Sequence, residues 1–88
     1  MNTLTQHLIE QARSKPHADR TQCEHIILAL SDGKWHGTKS LYEQSGALAV
    51  HSRMSDLRKK NVAIECEPDP ATPKGKCWWR YRLMEDVA

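Results

Sequence analysis

The chain has 88 residues, a formal net charge of +2 and a sequence pI near 8.5, a size that fits one small domain with a core only just large enough to hold a fold. Its longest apolar run, Ile26 to Leu30, is far short of the roughly 20 residues needed to span a bilayer. Polar residues follow Met1 where a signal peptide would carry an apolar block, so a cytoplasmic location is expected.

In chain order, the first expected element is a helix over Thr3 to about Arg13, with Leu4, Leu8, Ile9 and Ala12 on one side. Pro16 ends it, and the polar stretch Ser14 to Arg20 reads as a linker, so residues 1–20 form a peripheral helix and linker free to pack back or to reach a partner chain. Thr21 and Glu24 have the spacing of a capping box, and Cys23, Ile26, Ile27 and Leu30 follow at helical intervals. Gly33 closes that helix, and Trp35-His36 makes a short extended step. Thr38 reads as the N-cap of a two-turn helix that buries Leu41 and Tyr42 and ends near Ser45-Gly46.

A further helix, about 48–60, places Val50, Met54 and Leu57 inward. Beyond Asn61 the period changes to two. Val62, Ile64 and Cys66 then share one strand face, and after a loop with three prolines and Gly75, the face Trp79, Tyr81 and Leu83 alternates with Trp78, Arg80, Arg82 and Met84. Two helices joined by a tight glycine turn, followed by a hairpin, give an α+β winged helix-turn-helix over residues 21–84, with three core helices, a C-terminal β-hairpin wing and a frayed tail at 85–88.

The charge is uneven. Arg53 to Lys60 holds four bases and one acid, and Lys74 to Arg82 holds four bases and no acid. With Val50, Met54 and Leu57 inward, His51, Ser52, Ser55, Asp56 and Lys59 face outward and Arg53 and Arg58 occupy the shoulders. Arginine, histidine and hydroxyl groups on such a helix can read base edges or phosphates in a major groove. Asp56 is expected to pair with Arg53 or Lys60. Lys74 and Lys76, at the hairpin tip, are candidates for backbone or minor-groove contact, and Thr38 and Lys39 for a phosphate at a helix start. The alternation assigns Trp79 and Tyr81 to the core and leaves only Trp78 exposed, which weighs against a single-strand stacking platform.

Cys23, Cys66 and Cys77 contain no C-x-x-C pair and are expected as reduced thiols, with Cys66 and Cys77 able to face each other across the loop. The five histidines are scattered without metal-ligand spacing, and no phosphate loop or nucleophile-base set is present, so neither a metal, a cofactor nor an enzymatic reaction is expected.

The stretch from Ile26 to Glu67, followed after a loop by WWRYRL, resembles a family of small bacterial and phage winged helix-turn-helix proteins; its most specific piece is HSRMSDLRKKNVAIE. The resemblance implies double-stranded DNA binding in transcriptional control or in excision of mobile elements. It assigns the recognition-helix pattern to Arg53, Asp56, Leu57, Arg58 and Lys59. Asn61 stands where the family often has glycine, and the long proline-rich wing departs from the pattern. A short half-site favours a homodimer. One alternative is a protein-binding winged helix, an inhibitor or adaptor that engages a host protein through Trp78, Arg80, Glu65, Glu67 and Asp69; a third reading, weaker than both, is single-strand binding through the exposed tryptophan.

Overall fold

The computed structural model describes residues 3–75 and 78–84. Lys76, Cys77 and the expected tail at 85–88 lie outside the described residues. Among those described, four α-helices pack on a three-stranded antiparallel sheet in an α+β arrangement: α1 (Thr3–Ser14), α2 (Gln22–Leu30), β1 (His36–Gly37), α3 (Thr38–Ser45), α4 (Val50–Lys59), β2 (Ile64–Pro68) and β3 (Trp79–Leu83). A short 3-10 turn at His17–Asp19 joins α1 to α2.

The helix α2 forms where its signals stand. Thr21 Oγ1 accepts from the Glu24 N–H at 3.2 Å, and Glu24 Oε1 accepts from the Thr21 N–H at 3.0 Å, which satisfies two N–H groups that a helix start leaves open. The hydrogen bond from the Thr21 N–H, helped by the Lys15 ammonium, holds the Glu24 carboxyl below the usual carboxylate range. Ile26, Ile27 and Leu30 are buried, while Cys23 is half-buried beside the Arg53 carbonyl. Gly33, at φ 75°, closes the helix in the left-handed region.

The helix α1 is packed rather than peripheral. Its inward stripe is Thr5, Ile9 and Ala12, which leaves Leu4 exposed. The cause lies outside the helix: Arg20 Nε donates to the Ala12 carbonyl at 2.8 Å and its Nη2 to that of Arg13 at 3.3 Å, closing the C-terminal end of α1 against α2. Lys15 adds an ion pair to Glu24 at 3.1 Å.

Two expectations for α3 are corrected. Gly37, not Thr38, is the N-cap residue, and the Thr38 hydroxyl donates to the Trp79 carbonyl at 2.8 Å, tying the helix start to β3. Leu41 is buried but Tyr42 is exposed, because neighbouring helical residues point about 100° apart and this short helix has only a narrow inward stripe. Gly46, at φ 72°, ends α3, and α4 then buries Val50, Met54 and Leu57 as the spacing requires. Asn61, at φ 66°, turns the chain into β2.

The sheet order is β1-β3-β2, with His36 opposite Tyr81, and Cys66 opposite Tyr81 on the other side. Val62, Ile64, Tyr81 and Leu83 are buried. Cys66 and Trp79, expected inward, are exposed. They lie on the expected face, but toward the hairpin end, where they line an open groove beside α4 instead of a closed core.

Candidate nucleic-acid interface

With its inward face fixed in the core, α4 presents His51, Ser55 and Lys59 as one exposed stripe at intervals of four residues. Among the described residues none of these three side chains has an intramolecular hydrogen-bond or ion-pair partner. Ser52, one position along, is half-buried. Arg53 is half-buried as well, with Nε 3.2 Å from Asp56 Oδ2, so the expected pairing of Asp56 falls on Arg53 and not on Lys60. Arg58 turns back to the sheet, where Nη2 donates to the Ile64 carbonyl at 3.1 Å, and its remaining N–H groups stay on the surface. It therefore holds α4 to β2 as well as lining the groove between α4 and β3.

That groove encloses about 550 Å³ and is walled by His51, Ser55 and Arg58 on the α4 side, by Thr38 at the start of α3, and by Cys66, Trp78 and Trp79 on the hairpin. Leu48, in the turn before α4, stands at its edge and is 87% exposed. Sequence periodicity did not place Leu48, Cys66 or Trp79 here.

The hairpin handles its charge differently. Glu65 Oε2 accepts from Arg82 Nε at 2.5 Å, and Glu67 Oε1 accepts from Arg80 through both Nε and Nη2. Both guanidinium groups also lie on the Trp35 ring, at 4.7 Å for Arg80 and 4.5 Å for Arg82. The signal was present in the sequence: Glu65 and Glu67 share one parity, Arg80 and Arg82 another, and antiparallel pairing sets them opposite. Lys74 is exposed beside Gly75, whereas Lys76 lies outside the described residues.

The start of α3 is a poor phosphate seat. A Cβ on Gly37 would fall 2.8 Å from Asp69 Oδ2, so a carboxylate already stands beside that helix end. Asp69 is fixed there by the Ala71 N–H, which donates to Oδ1 at 2.9 Å. Thr38 has committed its hydroxyl proton to Trp79, and Lys39 remains exposed next to Tyr42 and Trp78. The helix-start contact expected for Thr38 is thus opposed by Asp69, and Lys39 stays available as a cation.

Of the thiols, Cys66 is exposed and unpaired, and Cys23 is pushed above its ordinary value by burial and by Asp56. Among the described residues, no three His, Cys, Asp or Glu side chains gather to hold a metal ion, and no helix is long and apolar enough to cross a membrane.

Comparison with known families, with curated proteins and with solved structures gives no match to this chain. Its functional reading therefore rests on geometry and charge.

Proposed function

We propose that this chain is a winged helix-turn-helix protein that binds duplex DNA without altering it covalently, with α4 in the major groove and the β2-β3 wing against the backbone. The observation that carries the reading is the stripe His51, Ser55 and Lys59: exposed and unpartnered among the described residues, on a helix whose other face is locked by Val50, Met54 and Leu57. A rigid helix with a free polar face meets the geometric need of base-edge readout. The sheet order and the α3-turn-α4 unit are compatible with the same assignment. Lys59, Lys60 and Lys74 make no ion pair among the described residues and supply cations for phosphates. By resemblance, the role is that of a phage or prophage regulator or an excision accessory factor, acting in the cytoplasm of a bacterial cell and, on a short palindromic site, as a homodimer. The inward face of α1 is already used in the core, so a dimer must form elsewhere.

The test is selection of bound fragments from genomic DNA, followed by fluorescence anisotropy on a selected duplex across a salt series. Affinity should fall linearly on a log-log plot with a slope of about −0.9 per neutralised phosphate. His51→Ala should lose roughly 1–3 kcal/mol of discrimination between bases. Absence of duplex binding at low salt, or His51→Ala and Lys59→Ala variants that bind like the parent, would reject the assignment of α4.

The protein-binding alternative is the less favoured reading, because most of its charged residues are engaged within the chain. Glu67 is bound to Arg80, Glu65 to Arg82, and Asp69 is held by its own loop.

A further inference from the structure

The three tryptophans have different surroundings. Trp35 lies under Arg80 and Arg82. Among the described residues Trp78 and Trp79 have no such cover; they are 37% and 40% exposed and both line the groove between α4 and β3. Tyr42, 44% exposed, lines an adjoining depression with Trp78, Lys39 and Leu48. Large aromatic side chains left in solvent around one depression mark a contact surface.

The surroundings select the occupant. His51, Ser55 and Thr38 bring polar groups to the wall, Arg58 is part of it, and Lys39 lies beside Tyr42 and Trp78. Glu65 and Glu67 are bound to arginines and do not line the groove. Glu43 and Asp69 do not line the groove either; they line a neighbouring depression together with Lys39 and Trp78. Among the described residues Leu48 is the one exposed aliphatic side chain in the lining, and Val50 and Met54 beneath it are nearly closed into the core, so the groove lacks the continuous apolar floor that a protein helix uses. Exposed π faces beside cations and neutral polar groups suit a nucleobase on an anionic backbone. The volume of about 550 Å³ lies within the roughly 300–1,000 Å³ of sites for small planar ligands.

We propose that the groove between α4 and β3 binds single-stranded DNA, with an unstacked base on Trp78 or Trp79 and flanking phosphates drawn to Lys39 and Arg58. This goes beyond duplex binding and shares His51 and Ser55 with it, so the two ligands should exclude each other.

The experiment titrates the full chain with an oligodeoxythymidine of about 12 nucleotides, a length within the usual range of such sites, at about 50 mM salt. Intrinsic tryptophan fluorescence and the anisotropy of a labelled strand are read together. Expected are quenching, roughly tenfold weaker binding in Trp78→Ala and in Trp79→Ala, near-parental binding in Trp78→Phe, which keeps a π face, and displacement of the strand by a selected duplex. Thermal melts check that the variants fold. Strand binding that leaves the fluorescence unchanged, or that persists in the double alanine variant, overturns the proposal. So does an absence of strand binding, which would leave the aromatic surface to a protein partner. A parent chain that binds duplex but no strand rejects this groove assignment alone, and one that binds strand but no duplex rejects the duplex reading alone.

Discussion

Two segments of this chain look alike in composition and behave differently in the fold. Both α4 with its C-terminal end and the 74–82 segment carry four basic residues. On α4 only Arg53 is matched by an acid, and Lys59 and Lys60 stay free among the described residues. On the hairpin, Arg80 and Arg82 are neutralised by Glu67 and Glu65 and lie over Trp35. A run of like charge therefore says little about electrostatic reach until its cross-strand neighbours are known. Arg80 and Arg82 act mainly within the molecule, whereas Lys74 and the lysines at the end of α4 are exposed and unpaired among the described residues.

The largest test of this contrast concerns anchoring. Met54 is fully buried, so Met54→Ala should cost about 2–5 kcal/mol in denaturant unfolding. Cys66→Ala, on the exposed end of the hairpin, should stay within about 0.5 kcal/mol. Comparable losses would mean that the two regions are equally anchored.

Next in size is the effect on DNA. Removing Arg58 and Lys59 together should weaken duplex binding by about tenfold or more at low salt and flatten the salt slope by up to two phosphate equivalents. Removing Arg80 and Arg82 should change affinity by less than about threefold, because their charge is already offset. Equal losses from the two double variants would break the comparison.

The hairpin can also be switched on. Glu65→Gln with Glu67→Gln frees both arginines, and a few-fold gain in duplex affinity with a steeper salt slope is expected. The accompanying loss of stability should be about 1 kcal/mol per part-buried pair. No gain would place the hairpin arginines away from the DNA.

The smallest effect is a pH dependence on the hairpin side. Burial raises the Asp32 carboxyl, but hydrogen bonds from the His36 ring, at 2.9 Å, and from the Lys34 N–H outweigh it and hold the group below its ordinary value. A lowered carboxylate contributes stability that is fully present above its unfolded value and is lost as pH falls through the folded one. His36 belongs to β1, which pairs with β3, so this contribution should fade below about pH 4. Asp32→Asn should flatten the acid limb of the melting curve, and an unchanged limb would remove Asp32 from this role.

Local chemistry determined much of what the sequence made legible. The Thr21-Glu24 box, the left-handed turns at Gly33, Gly46 and Asn61, the inward stripes of α2 and α4 and the change of period after Asn61 are properties of a few neighbouring residues, and each stands where expected. The outward position of His51, Ser55 and Lys59 follows directly from that stripe. What only the tertiary structure decided depends on where an opposing layer begins and ends. Alternation placed Trp79 and Cys66 on the correct face, but they line an open groove at the hairpin end; spacing assigned Tyr42 inward on a helix too short to bury it. The reach of Arg20 to α1, of Arg58 to Ile64 and of Thr38 to Trp79 spans 8, 6 and 41 residues, and no local pattern carries such partners. Periodicity fixes the direction of a side chain, whereas its burial and its charge balance are set by the element that comes to face it.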